Sequence, residues 1–114
     1  MEDLLVQTLE TFGFPVFRQG SLSSEEAYPD YFFTFWNNDS SEATHYDNRA
    51  RCILWDFDVN FYSIDPKMTY NTLRSAIARL RIAGFIVPGC GYDVSTDEPT
   101  HTGRGVNALF REEL

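Results

Sequence analysis

Between Arg51 and Phe61 the side chains alternate without interruption. Arg51, Ile53, Trp55, Phe57, Val59 and Phe61 fall on one face of an extended chain, and Cys52, Leu54, Asp56, Asp58 and Asn60 on the other. A period of two marks a half-buried β-strand. Taken from Arg49 to Tyr62, the run would span roughly 46 Å at about 3.3 Å per residue, longer than an ordinary strand, so a bend or bulge is expected along it. The strand gives way at Ser63-Ile64-Asp65-Pro66 to a helix. Asp65 reads as its N-cap and Pro66 as its first residue, where the missing N–H costs nothing. Tyr70, Leu73, Ala76, Ile77, Leu80 and Ala83 make one apolar stripe, while Lys67, Asn71, Arg74, Ala78 and Arg81 face away. Gly84 supplies a left-handed stop, and Arg79 and Arg81 suit the negative end of the helix dipole. The expected core is this helix lying on a sheet.

Around that unit the chain divides into short elements. Glu2 to Phe12 has the pattern of an amphipathic helix, with Leu5, Leu9 and Phe12 on one side, acids in the first turn and Gly13 to end it. Phe14-Pro15-Val16-Phe17 is extended, and Pro15 places it at an edge or a strand start. Arg18 to Asp30 reads as a polar loop of about a dozen residues, a length that is usually functional or disordered. Tyr31 to Trp36 is a continuous aromatic strand, and Asn37 to Asn48 a polar connection returning to the long strand as a hairpin with an extended tip. After the helix, Phe85-Ile86-Val87 begins a strand, Pro88-Gly89-Cys90-Gly91 turns it, and Tyr92-Asp93-Val94 continues it. Asp97 to Gly105 is loop-like with a middle able to pair weakly, and Val106 to Arg111 is the closing strand. The order α-β-β-β-α-β-β gives an α+β fold, a mainly antiparallel sheet with two helices on one face, in a single domain over residues 1–114.

A chain of 114 residues buries about 65% of its unfolded surface without staples. Ten Phe, six Tyr and two Trp make the core a matter of packing rings. The net charge of −8 argues against a nucleic-acid binder, since phosphate contact wants a basic stripe and the nine Lys and Arg are scattered. Cys52 in a strand and Cys90 between glycines fit neither a zinc cluster nor a disulfide framework, and both read as reduced thiols in a cytoplasm. No apolar run approaches the length of about 18 residues that a membrane span needs, and the N-terminus is acidic where a signal peptide would be basic.

No catalytic constellation emerges. Asp56-x-Asp58 has the chemistry to bind a divalent metal, but carboxylates two apart are also what a solvated strand face carries. Asp97, Glu98 and His101, joined in space by His45 or Asp47, are a weak acid–base or metal cluster, because no pair of histidines has ligand spacing. Cys90 has no neighbouring His to activate it, and Gly89-x-Gly91 is too short for a phosphate loop. No cofactor or metal is therefore expected. Two long polar loops on a small aromatic sheet suit a subunit whose loops and edges serve other chains.

The strings Phe14-Pro15-Val16-Phe17-Arg18-Gln19-Gly20-Ser21, Tyr28-Pro29-Asp30, Phe33-Thr34-Phe35-Trp36-Asn37-Asn38, Tyr46-Asp47-Asn48, Trp55 to Ser63, Gly91-Tyr92-Asp93-Val94 and Asp97 to Gly105 resemble a small protein of tailed phages and prophages of Gram-positive bacteria. The likeness is to head-tail joining or tail-completion proteins, related to the tail-terminator family of long-tailed phages, and covers Phe14 to Arg111. It implies a non-enzymatic virion component, assembled in the host cytoplasm, that forms a hexameric ring at the head-proximal end of the tail. Such a ring caps the major tail-tube protein and presents a surface to head connector or stopper proteins. Glu25, Glu26, Asp39, Glu42, Asp97 and Glu98 would then line a lumen through which DNA passes without sticking, and Arg104 would offer a bidentate fork to a neighbour's carboxylate. The rival readings are an acidic phage-encoded inhibitor that binds a host protein by charge mimicry, and a small metal-dependent hydrolase using Asp56, Asp58 and His101.

Overall fold

The computed structural model describes residues 1–18, 29–46, 49–96 and 99–113, and of residues 43–46 and 49–51 the backbone only. In chain order the elements are α1 (Glu2–Glu10), β1 (Val16–Arg18), β2 (Tyr31–Tyr46), β3 (Arg49–Ser63), α2 (Pro66–Ile82), β4 (Tyr92–Val94) and β5 (Thr102–Glu113). The strands form one sheet in the order β1-β2-β3-β5-β4, antiparallel throughout except for the parallel pair β1–β2. The α+β class and the expected element order are both realised.

A hairpin of unusual length sets the shape. β2 and β3 pair from Tyr31↔Ser63 to Tyr46↔Arg49, and β5 follows β3 from Ser63↔Thr102 to Cys52↔Glu113. A fifteen-residue strand is about 50 Å long at the usual rise, which accounts for the 54 Å long axis of the molecule. The expected irregularity lies in the partner strand: Asn37 pairs with Phe57 and Asp39 with Asp56, leaving Asn38 as an inserted residue. Asn37 to Tyr46 is therefore strand and not a loose connection. Its polar side chains signal a loop, but the backbone groups of β3 that face it supply a continuous pairing template.

Phe33, Phe35, Phe57, Val59, Phe61, Val106 and Ala108 occupy the inner sheet face, and Leu5 and Leu9 of α1 with Leu73, Ala76, Ile77 and Leu80 of α2 close over them. Both helices thus pack on one face. Phe33 and Phe61, opposite each other in the ladder, have ring centroids 4.7 Å apart, and Trp55 and Phe57 stack with planes 1° apart. On the other face Phe32 is buried beneath Tyr62, its ring centroid 5.2 Å away. The aromatic run Tyr31–Trp36 is consequently covered on both sides at its start.

α2 begins as expected: the Asp65 carboxylate accepts from Lys67 N–H at 3.0 Å and Pro66 opens the first turn. Its buried stripe differs at three positions. Thr69 and Thr72 are buried, whereas Tyr70, assigned to the stripe, is 46% exposed. The reason for Thr69 is a hydroxyl chain, in which its Oγ1 lies 2.6 Å from Ser63 Oγ and 2.8 Å from Thr102 Oγ1. This cluster joins the end of β3, the first turn of α2 and the start of β5. Phe85 to Val87 makes a single bridge, Ile86↔Leu109, rather than a full strand, with Phe85 and Val87 buried on either side of an exposed Ile86.

β5 starts at Thr102, four residues earlier than the apolar pattern suggests, because Gly103 and Gly105 hide a strand signal. A Cβ on Gly103 would stand 2.6 Å from the Tyr62 ring, and one on Gly105 would overlap the Asn60 amide. Glycine in a strand interior here marks close approach by cross-strand side chains. Replacing Phe61 with Ala should cost about 3–5 kcal/mol and Asp65 with Ala about 1 kcal/mol. Urea unfolding followed by circular dichroism reads both, and equal losses would show that the ring core holds the fold no more strongly than the helix cap does.

Candidate functional site

Three surfaces carry the polar chemistry of the described residues. Arg104 lies between the two glycines whose outer faces are capped by Tyr62 and Asn60, so alternation turns its side chain to the inner side, at the edge of α2. Its guanidinium donates to Asp93 Oδ1 at 3.0 Å and to the carbonyls of Cys90 at 3.3 Å and Gly91 at 3.2 Å, and lies 5.1 Å from the Tyr70 ring centroid. Arg104 is only 18% exposed, while Asp93 is 92% exposed. The fork is thus occupied within its own chain, where it clamps the turn before β4 onto β5. Tyr70 stays at the surface because its ring shelters this cation.

The second surface is the outer face of the sheet. Trp36, Asp58 and Asn107 form one cross-strand rung, and Asp39, Asp56 and Leu109 the next. The Asn107 amide donates to Asp56 Oδ1 at 2.5 Å, to Asp58 Oδ1 at 3.3 Å and to the Phe57 carbonyl at 3.1 Å, and Asn38 reaches Asp56 at 3.4 Å. One amide therefore bridges both carboxylates as hydrogen-bond acceptors. Among the described residues no group of three His, Cys, Asp or Glu side chains is placed to hold a metal. Burial pushes the Tyr92 phenol above its ordinary value of 10.0, and the charges of Asp58 and Asp56 push it further.

The third surface was not visible as a pattern of motifs. Lys67, Arg74 and Arg81 line up on the solvent side of α2, and Arg79 lies on the flank toward α1, so the cations are not evenly scattered. Arg81 donates to the carbonyls of Val87 at 2.7 Å and Gly89 at 3.0 Å. Arg79 donates to Thr11 Oγ1 and lies 4.3 Å from the Phe12 ring centroid. Between α2 and the turn that follows it runs an open groove of about 530 Å³, lined by Tyr70, Arg74, Ser75, Arg81 and Cys90. The signal available in the sequence was an absence: from Pro66 to Tyr92 there is no Asp or Glu.

The remaining expected site residues are dispersed. Asp39 and Glu42 stand exposed on β2, and Glu25, Glu26, Asp47, Asp97 and Glu98 lie outside the described residues, as does the side chain of His45. His101 is buried, its Nε2 donating to the Pro29 carbonyl at 2.8 Å and its Nδ1 3.0 Å from Thr100 Oγ1, with its ring edge-on to Phe32. It pins the chain entering β2 to the chain entering β5. Asp58 pairs with Asn107, six residues along β5 from His101, which separates the two by roughly 20 Å. Asp56, Asp58 and His101 are not brought together. Cys52 is buried and Cys90 exposed, and the two are not joined to each other.

The chain matches no protein-family model. No curated protein matches it either. Among the described residues no helix is long and apolar enough to cross a membrane.

Because the neutral phenol is favoured in the fold, Tyr92 stabilises the native state at pH values below its unfolded pKa, and that contribution is lost as pH rises through the higher folded value. Ultraviolet titration should find the Tyr92 phenol ionising above its ordinary value, and Asp58→Asn should lower it partway. An unchanged titration in Asp58→Asn would show that the Asp58 charge does not contribute to the shift.

Proposed function

We propose that the protein is a non-enzymatic virion subunit of a tailed phage, a tail terminator or head-tail joining protein that acts by assembling into a ring, hexameric in the family it resembles. The observation that supports this most directly is the edge of β2. β1 lies along it only from Phe33 to Phe35, and beyond Trp36 no described strand does so. A long strand edge of this kind is a template for another chain, and closed rings use such edges without runaway association. The ribbon that carries it extends the molecule to 54 Å, enough to reach past the helices to a neighbour. In this reading the ring caps the tail-tube protein, meets the connector or stopper at the head side, and passes DNA through a lumen bordered by acids that include Asp39 and Glu42.

A second reading draws on the same face differently. Asp39, Asp56 and Asp58 share one side of the sheet, as a charge-mimicking inhibitor of a host protein would arrange them. The cations of α2 weigh against it, since a nucleic-acid mimic has no use for a positive side.

Mass photometry of the purified protein, alone and with the tail-tube protein encoded beside it, separates the two. The expected outcome is a six-fold species, or six-fold caps at tube ends. A monomer that ignores tubes and is recovered one-to-one on a host protein would overturn the ring.

A further inference from the structure

Among the described residues, a cationic helix and a row of carboxylates lie on opposite sides of the sheet. α2 carries Lys67, Arg74, Arg79 and Arg81, four of the nine cations in a chain of net charge −8. Arg79 and Arg81 donate to a hydroxyl and to carbonyls, and among the described residues none of the four side chains forms an ion pair, the Asp65 carboxylate meeting only the backbone N–H of Lys67. The nearby acid Asp93 is engaged by Arg104. In the same helical layer α1 contributes Glu2, Asp3 and Glu10, with Glu2 held by Arg18 at 2.7 Å. The cationic strip is therefore confined to α2 and the groove beside it.

Across the sheet, Asp39, Asp56 and Asp58 stand on the outer face, and Trp36 and Tyr92 flank them, each 48% exposed. Among the described side chains the only cation on that face is Arg111, which is paired with Glu113 at 2.8 Å. Exposed Trp and Tyr around a charged row are what interfaces use as anchors. The two faces differ in sign and in shape, so neither complements itself, as a two-fold dimer would require. Each complements the other.

We infer that a second copy of this chain docks head to tail, the cationic α2 face of one copy seating on the Asp56–Asp58 face of the next. A heterologous contact of this kind closes into a ring when its rotation allows. The inference rests on the ring-forming reading above and specifies which faces meet. It adds an α2 contact to the one that the strand edge of β2 offers a neighbouring chain.

The test is charge reversal in the full chain. Lys67→Glu with Arg74→Glu should weaken assembly by about tenfold or more in dissociation constant, as should Asp56→Lys with Asp58→Lys. The chain carrying all four changes should recover it, because the sign of both faces is inverted together. Thermal melts establish that each variant is folded, and if the Asp pair fails to fold, Asp58→Asn alone should still weaken assembly and its dependence on salt. A ring that persists unchanged in the folded α2 variant overturns this docking while leaving the ring-forming reading intact. A parent that stays monomeric alone and at tube ends overturns both. Retention of duplex DNA by a monomeric parent, lost on reversing α2, would overturn it in favour of a phosphate-facing helix.

Discussion

Everything in this fold hangs on the ladder between β2 and β3, and within it on the pairing of Phe33 with Phe61. Their rings lie 4.7 Å apart at the centre of the inner face, where α1 and α2 both reach the sheet. An aromatic pair of this kind adds about 0.5–1.5 kcal/mol beyond the area it buries, but its larger effect is on register. A slip of β3 by one residue would carry Phe57, Val59 and Phe61 to the face opposite Phe33 and Phe35. The helices would then meet Asp56, Asp58 and Asn60 beside Phe33 and Phe35. Register, core and helix docking are therefore one decision.

That decision also partitions the surface. With apolar residues fixed inward along β3, its intervening positions must face outward, and these are Asp56 and Asp58. The same alternation that builds the core assembles the carboxylate row. α2, bound to the core by Leu73, Ala76, Ile77 and Leu80, necessarily turns Lys67, Arg74 and Arg81 to the other side of the molecule. The separation of charge follows from two periodicities, two in the strand and 3.6 in the helix, acting on opposite sides of one apolar layer.

The long strand and the capped helix were legible because each states its period over many residues and marks its ends with Asp65, Pro66 and Gly84. The illegible parts fail for physical reasons. Asn37 to Tyr46 is polar on both faces, and only the neighbouring backbone makes it a strand. Thr102 to Gly105 lacks side chains where Tyr62 and Asn60 need room. Tyr70 has the size and position of a core residue but serves Arg104 at the surface, and Thr69 is buried because Ser63 and Thr102 supply its hydrogen bonds. Of the expected site, Arg104 stands out in the sequence by its flanking glycines, but its acceptors come from Asp93 and the turn at Cys90 and Gly91, contacts made only in three dimensions. The cationic face of α2 shows in the sequence only as a missing residue type, a signal that periodicity does not weigh.

The spacing Gly103-Arg104-Gly105 makes the pairing of β5 with β3 self-checking. Shifted by one position, Arg104 would place its Cβ against the Tyr62 ring or the Asn60 amide, while a glycine would stand where Asp93 and two carbonyls await a cation. A steric penalty and an unmatched charge would thus arise from the same error. Because the two penalties sit on opposite faces of the sheet, no single side-chain rearrangement relieves both. A strand that looks too glycine-rich to hold its place is, by this arrangement, tied to one register.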